Sequence, residues 1–164
     1  MAKNYILDAD TANRKMQRMA YEIVENNLDE RQLILAGIRE SGSVIARNIQ
    51  QLLKQISNLP TELITISLDK KKPEEVLITP SIDFTDKVVI IIDDVANSGK
   101  TLLYAMKPLL AFHPRKIQTL ALVERTHKTF PVSTDYVGLS VATTLQEHIF
   151  VETTGDAVTG AYME

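Results

Sequence analysis

A short stretch in the middle of the chain, Val89 to Thr101, holds the residue types that could bind a phosphorylated ligand. An aliphatic run leads into two adjacent carboxylates, Asp93 and Asp94, and a turn of small residues follows them. Small residues let backbone N–H groups approach an anion closely, and the N-terminus of a following helix adds positive partial charge. Two carboxylates repel a phosphate unless ribose hydroxyls or Mg²⁺ lie between them. The stretch therefore indicates a sugar phosphate, or a phosphate accompanied by Mg²⁺, as the ligand.

The end of this stretch, Ser98-Gly99-Lys100-Thr101, is like the end of a nucleotide-triphosphatase P-loop. That motif requires a glycine five positions before Gly99, and this chain has Asp94 there. The sequence therefore argues against a P-loop triphosphatase. The structural alternative is a strand, turn and helix whose acidic residues are exposed by chance.

Hydrophobic periodicity predicts the elements that would position these residues. Helices are predicted over 12–26, capped by Asp10 and Thr11, over 44–56, and from about Gly99 until Pro114 ends the helix. Strands are predicted over 33–38, 63–68, 76–78, 88–92, 117–123, 136–139 and 149–151, and the acidic pair is expected to end the strand over 88–92. Strands that alternate with helices imply βαβ crossovers, which predict a single-domain α/β fold over residues 1–164 with a mainly parallel sheet flanked by helices. Ligands of such sheets bind at the carboxyl ends of the strands, where the acidic pair lies.

Composition narrows the class of protein further. The chain has 164 residues, of which 45% are hydrophobic and 24% charged, and this is typical of one ordinary globular domain. It contains no cysteine, which excludes disulfides, thiolate metal sites and a cysteine nucleophile. The formal net charge of -3 gives no overall attraction to nucleic acid or to an anionic membrane. The start of the chain lacks the apolar core of a signal peptide, so we expect a cytoplasmic protein.

Several blocks of the sequence resemble type I phosphoribosyltransferases. The stretch from Val89 to Thr101 is similar to their signature for phosphoribosyl pyrophosphate (PRPP): four apolar residues, two acids, and a loop rich in small and hydroxyl residues. The block from Ala36 to Gly42 resembles their pyrophosphate loop. Two further blocks, 123–138 and 6–23, resemble the subfamily of bifunctional pyrimidine attenuation regulators with uracil phosphoribosyltransferase activity. The resemblance thus covers nearly the whole chain.

The resemblance implies an activity and a set of partners. The expected reaction moves ribose 5-phosphate from PRPP to a nucleobase, with uracil favoured, and releases pyrophosphate. The expected cofactor is Mg²⁺, carried by the substrate and in contact with Asp93 and Asp94 if the protein itself binds the metal. A homodimer or a higher homo-oligomer is the assembly typical of the family.

The resemblance also assigns a role to individual residues. Asp93 and Asp94 are the expected catalytic pair at the ribose hydroxyls. The expected ligands of the 5-phosphate are Ala96, Asn97, Ser98, Gly99, Lys100 and Thr101; those of pyrophosphate are Arg39, Glu40, Ser41 and Gly42; those of the base or nucleotide are Val95 and Arg125.

Two of these assignments have a plainer alternative, and so does the role of a lysine run. Arg39 and Glu40 could be a solvated pair in a loop, since exposed charge pairs are common. Arg125 could be a polar residue at the margin of the sheet. The run Lys70-Lys71-Lys72 could close over PRPP as a lid, although a solvated turn is the interpretation that a charge run favours.

The sequence departs from the subfamily in three places. The pyrophosphate loop has Glu40-Ser41-Gly42 where the subfamily usually has Thr-Arg-Gly, and the lid has Asp69-Lys70 in place of Tyr-Arg. With these changes, binding of PRPP is better supported than fast turnover. They also motivate an alternative function: a catalytically weak sensor of a nucleotide or PRPP that regulates pyrimidine genes. Ser133 and Leu139 stand where the subfamily has basic residues, so RNA binding is not favoured. We interpret the basic residues of the first helix, Arg14, Lys15 and Arg18, as a solvated face.

Overall fold

The computed structural model describes residues 2–144 and 146–164. Its strands are β1 (Asn4–Asp8), β2 (Leu33–Ile38), β3 (Thr61–Leu68), β4 (Val76–Thr79), β5 (Val88–Ala96), β6 (Lys116–Arg125), β7 (Tyr136–Val141), β8 (Ile149–Thr154) and β9 (Ala157–Met163). Its helices are α1 (Ala9–Asn26), α2 (Ser41–Ile56) and α3 (Lys100–Met106), and a 3₁₀ helix (Lys107–Phe112) follows α3 directly. Six strands form one sheet in the order β4-β3-β2-β5-β6-β7, in which only the edge strand β4 is antiparallel to its neighbour. This confirms the predicted α/β class with a mainly parallel sheet.

Helices cover both faces of this sheet, which explains why its central strands are continuous aliphatic runs. Along β5, Ile90 and Ile92 join the core beneath α1 and α2, whereas Val89 and Ile91 join a second core beneath α3. The alternation follows from the pleat, because successive side chains of a strand point to opposite faces. The strand that ends in the acidic pair is therefore fixed from both sides.

The predicted end of this strand was wrong. The acidic pair does not stop β5, which continues to Ala96. The reason is its parallel neighbour β6, which pairs with it in unbroken register and places Asp93 beside Ala121 and Ala96 beside Glu124. Backbone hydrogen bonds to a neighbouring strand override the low strand preference of aspartate.

The boundaries of all three helices also differ from the prediction, and α2 begins at Ser41 instead of Val44. Helix α1 starts at Ala9, because the Asp8 carboxylate accepts a hydrogen bond from the Thr11 N–H at 2.7 Å and caps the helix. Asp10 and Thr11 were the predicted caps, and both lie inside the helix. Helix α3 has only seven residues, and the rest of the apolar stripe up to Pro114 belongs to the 3₁₀ helix.

A second, antiparallel sheet has the order β1-β9-β8, and two of its strands, β1 and β9, were not predicted. It pairs the start of the chain with its end, since Asn4 lies opposite Met163 and Asp8 opposite Gly160. Leu7, Ile149, Val158 and Ala161 from this sheet contribute to the core beneath α1 and α2. Within the residues that the structure describes, no helix is both long and apolar enough to span a membrane.

Candidate active site

The predicted site residues meet where β2 and β5 end, because these two parallel strands are neighbours and their carboxyl ends lie at one edge of the sheet. The loop after β2 leads into α2, whose second residue, Gly42, lies against β5. A Cβ at Gly42 would come within 2.7 Å of the Ile92 carbonyl oxygen and 3.4 Å of Asp93 Oδ1. Only glycine fits such a gap, so the predicted pyrophosphate loop lies directly beside the acidic pair.

The two carboxylates of the pair differ in environment. Asp93 is 1% exposed, and its Oδ1 accepts a hydrogen bond from the Asp94 N–H at 2.9 Å. The Asp94 side chain is partly exposed, and its Oδ1 accepts from the Val95 N–H at 2.8 Å. Burial first, and then the charge of Asp94, raise the pKa of Asp93 well above its ordinary value, while the ammonium of Lys70 opposes the rise.

Lys70 was expected to lie in a solvated turn, but the structure brings it to the acidic pair. Its Nζ lies 3.6 Å from Asp93 Oδ1 and 3.9 Å from Asp94 Oδ1. The signal available in the sequence was weak, since a run of three lysines is normally solvated. Its position depends on the end of β3, because the segment after Leu68 leaves the sheet at the same edge as β2 and β5.

The loop from Ala96 to Thr101 is braced by the segment that follows β6. The Ser98 carbonyl accepts hydrogen bonds from the N–H groups of Thr129 and Phe130 at 3.1 and 3.0 Å. Gly99 has a φ of 85°, a left-handed conformation that favours glycine. A cleft of about 60 Å³ lies at this loop and is lined by Lys70, Asp93, Val95, Ala96, Asn97, Ser98, Gly99, Thr101 and Leu102. Lys100 is the one predicted phosphate ligand outside this lining.

Arg39 and Glu40 are both well exposed. Their side chains are 65% and 85% exposed, and Arg39 Nε lies 3.9 Å from Glu40 Oε1. Both line a larger cavity of about 570 Å³, together with Arg47 and several hydroxyl side chains. An exposed pair of this kind contributes little stability, so its rearrangement around a ligand costs little.

Arg125, the residue expected at the base, holds a neighbouring segment in place. Its guanidinium donates hydrogen bonds to the carbonyl oxygens of Thr144, at 3.4 Å, and Glu147, at 2.7 Å. Both acceptors lie between β7 and β8. Whether Arg125 also contacts a base stays a prediction.

A buried ion pair beside the phosphate loop was missed. Glu124 and Lys128 form a salt bridge with both side chains largely buried, and Glu124 also accepts from the Ser140 hydroxyl at 2.9 Å. Burial raises the pKa of Glu124, but the hydrogen bonds from Lys128 and Ser140 outweigh burial and leave the pKa below its ordinary value. In the sequence, Glu124 and Lys128 are four residues apart just after a predicted strand, and this spacing is not a specific signal.

Arg18 was interpreted as part of a solvated helix face, and its side chain is indeed 45% exposed, but its guanidinium also makes hydrogen bonds within the fold. Its Nη2 donates to the carbonyl oxygens of Val137 and Gly138, each at 2.8 Å, and so ties α1 to β7. Charge-assisted hydrogen bonds to two carbonyls fix this side chain within the fold. The Arg18 side chain is therefore both exposed on α1 and hydrogen-bonded to β7.

The donor set at the edge of the sheet fits a magnesium ion that arrives with its substrate. Mg²⁺ is usually bound through one or two carboxylates together with substrate phosphates and water. Asp93 and Asp94 supply two carboxylates, and because burial and the charge of Asp94 raise the pKa of Asp93, a divalent cation beside the pair would favour its ionised form. The arrangement suits a ligand that combines a phosphate, hydroxyl groups and a divalent cation.

Comparisons with known proteins agree with this geometry. A family model described as "Phosphoribosyl transferase domain" matches residues 4–154. The chain is 35% identical over 160 residues to "Bifunctional protein PyrR" of Streptococcus pneumoniae strain CGSP14, covering 94% of this chain and 92% of that protein.

Two solved structures share the fold. A hypoxanthine phosphoribosyltransferase from Trypanosoma cruzi, in a ternary substrates complex, matches with a TM-score of 0.79 at 13% identity, over 97% of this chain and 94% of that one. A hypoxanthine-guanine phosphoribosyltransferase from Bacillus anthracis matches with a TM-score of 0.77 at 16% identity, over 97% and 96%. These matches confirm the resemblance found in the sequence, and the chain belongs to the phosphoribosyltransferase family.

Proposed function

We propose that the protein transfers ribose 5-phosphate from PRPP to a ring nitrogen of a nucleobase, and that uracil is the base. The observation that carries the proposal is the meeting of three groups at one edge of the sheet: the acidic pair, the loop Ala96–Thr101 and the loop Arg39–Gly42. Together they offer contacts for the ribose, the 5-phosphate and the pyrophosphate of one substrate. The choice of a pyrimidine rests on the resemblance of residues 6–23 and 123–138 to the bifunctional pyrimidine attenuation regulators, and the chain is also similar to "Bifunctional protein PyrR".

In this reaction the bond from ribose C1 to the pyrophosphate oxygen breaks, and the oxygen keeps the electron pair. The lone pair of the base nitrogen forms the new bond to C1, and the proton of that nitrogen passes to water. Asp93 and Asp94 accept hydrogen bonds from the ribose hydroxyls and stabilise positive charge that develops at C1. The N–H and hydroxyl groups of residues 96–101 hold the 5-phosphate and so orient C1 toward the base.

The residues that contact the leaving pyrophosphate lie between the end of β2 and the first turn of α2. Ser41 and Gly42 offer backbone N–H groups, and the Arg39 guanidinium supplies a cation for the pyrophosphate oxygens. Asp93 and Asp94 would hold Mg²⁺ together with the substrate, and the ion would neutralise part of the charge of the pyrophosphate. Val95, which lines the small cleft, and Arg125 are the proposed contacts on the side of the base.

The decisive experiment is conversion of radiolabelled uracil to UMP with PRPP and Mg²⁺. Hypoxanthine and guanine are run in parallel, since these bases appear in the names of the structural neighbours. The Asp93→Asn/Asp94→Asn variant is the control, and we expect it to lose turnover. Turnover of a purine alone would overturn the choice of uracil, and turnover retained in the double variant would overturn the site.

A second candidate is a cytoplasmic PRPP or nucleotide sensor with negligible catalysis. Two features favour it: Glu40 puts a carboxylate in the pyrophosphate loop, and Lys70 already lies at the acidic pair. The sensor predicts that UMP or PRPP raises the melting temperature while conversion of every base stays at background. Robust turnover excludes the sensor. Light scattering tests the homodimer or higher homo-oligomer that the family resemblance implies.

A further inference from the structure

The ammonium group of Lys70 lies beside the acidic pair, where the proposed reaction requires a positive charge. Its Nζ lies within 4 Å of both carboxylates of the acidic pair, at 3.6 Å from Asp93 and 3.9 Å from Asp94. The same side chain lines the small cleft at the phosphate loop. One ammonium group therefore faces both carboxylates and the predicted phosphate site at once.

The acidic pair needs such a cation when the protein is empty. A buried carboxylate loses hydration, and a second carboxylate beside it adds repulsion, so the ionised pair is costly without a nearby positive charge. At less than 4 Å, an ammonium group offsets a substantial part of that cost even at the moderate effective dielectric of a protein margin. This contact differs from an ordinary surface ion pair, because Asp93 is almost completely buried.

The Lys70 side chain is also able to leave. It is 51% exposed and belongs to the exposed segment 69–72, outside any helix or strand. Its neighbour Lys71 is exposed in the same segment and is not among the residues that line the cleft. Within the lysine run, Lys70 therefore faces the acidic pair, whereas its neighbour Lys71 faces water.

We propose that Lys70 is the internal counter-cation of the acidic pair in the ligand-free protein, and that the incoming substrate with its divalent cation displaces it. This inference rests on the proposed function, because the displacing ligand is PRPP with its metal. Lys70 and a divalent cation then compete for the same two carboxylates. Movement of the Lys70 side chain couples substrate entry to rearrangement of the segment after β3, and the displaced ammonium becomes available to a phosphate group of the substrate.

The competition predicts a gain in affinity for a bare metal ion. We would titrate Mn²⁺ into the protein without PRPP, detecting free Mn²⁺ by electron paramagnetic resonance. Lys70→Gln should bind Mn²⁺ more tightly than the wild type, on the order of tenfold, because a competing charge at contact distance is gone. Lys70→Arg should behave like the wild type, and so should the matched control Lys71→Gln. Damage to the site would weaken metal binding, so tighter binding cannot come from misfolding.

A second measurement separates this inference from the proposed function. Calorimetry of PRPP with Mg²⁺ is run on the wild type and on Lys70→Gln. If neither binds PRPP, the proposed function fails, whatever the Mn²⁺ titration shows. If PRPP binds but Lys70→Gln takes up Mn²⁺ no more tightly than Lys71→Gln, or neither takes it up at all, the role of Lys70 is overturned and the proposed function stands.

Discussion

Gly42 and Asp93 are in direct backbone contact across the start of α2 and the end of β5. A Cβ on Gly42 would lie 3.1 Å from the Asp93 Cα and 2.7 Å from the Ile92 carbonyl oxygen. This contact holds the loop after β2 against the acidic pair. Because Gly42 has no side chain, the proposed pyrophosphate contacts lie close to the proposed ribose contacts.

Gly42→Ala should push α2 away from β5. Because the nearest atoms belong to backbone, which cannot rotate aside, we expect a loss of about 1–3 kcal/mol in the free energy of unfolding. PRPP affinity should fall as well, since the two loops would separate. Urea unfolding and calorimetry measure the two effects. Gly155→Asn is the matched control, because Gly155 has a φ of 59° that asparagine tolerates and no atom near its Cβ position, so little change is expected. An Ala variant at Gly42 with unchanged stability and affinity would contradict this account.

Asp93→Asn should make the protein more stable and less active. The pKa of Asp93 is raised by burial and by Asp94, so the folded state favours the protonated acid, and the free energy of unfolding falls as pH rises above the ordinary value of 3.8. Asparagine removes this cost. We therefore expect the variant to be more stable than the wild type by an amount that grows with rising pH. The difference in the free energy of unfolding should reach on the order of 1 kcal/mol at neutral pH.

The measurement is urea unfolding of both proteins between pH 4 and pH 8, roughly the range in which a buried carboxyl titrates. Turnover should drop at least about a hundredfold at every pH, because a group that stabilises charge at C1 is lost. A variant that is less stable than the wild type at neutral pH would show that the Asp93 charge is compensated in the folded protein.

The strands could be predicted from the sequence more reliably than the two sheets they form. Buried parallel strands such as β2 and β5 are continuous aliphatic runs, and the PRPP-like block identified the acidic pair directly. The pairing of β1 with β9 could not be found this way, because the two strands are at opposite ends of the chain and each is short. The extension of β5 to Ala96 also could not be predicted, because it depends on pairing with β6, which comes later in the chain.

Two side-chain contacts that the sequence did not predict join residues far apart in the chain or on different strands. Arg18 bonds to carbonyls 119 and 120 residues away, and Lys70, which follows β3, meets carboxylates on β5, which does not pair with β3. Exposed basic residues are usually solvated, and only tertiary structure reveals the exceptions. Gly42, by contrast, was named in the right loop because the motif itself carries a glycine there.

Lys128→Met should destabilise the protein by leaving Glu124 as an unpaired, partly buried charge. We expect a loss of about 2 kcal/mol at pH 7, less than for a fully buried pair because both side chains keep some exposure. The pKa of Glu124 lies below its ordinary value of 4.5, so the pair contributes its stability above that pH and loses it as pH falls through the lowered pKa. The difference from the wild type should therefore shrink in acid.

Unfolding in urea across the acidic range tests this pH dependence. Glu124→Gln/Lys128→Met should recover part of the loss, because the unpaired charge is removed together with its partner. The exposed Lys107→Met is the control for a general effect of charge. A destabilisation that stays constant down to low pH would mean that lost packing of the lysine stem, and not the ion pair, is responsible.

Arg125→Ala should loosen the segment between β7 and β8 and impair use of the base more than binding of PRPP. The carbonyls of Thr144 and Glu147 lose their donor, and because neither residue is buried the cost is about 1 kcal/mol of stability. If Arg125 or the segment it holds contacts the base, KM for the base rises while the Kd of PRPP with Mg²⁺ is unchanged. Steady-state kinetics, calorimetry and hydrogen exchange of the segment are measured on the same variant. If hydrogen exchange is faster while KM for the base is unchanged, Arg125 has only a structural role. The residues that it holds would then lie away from the nucleobase.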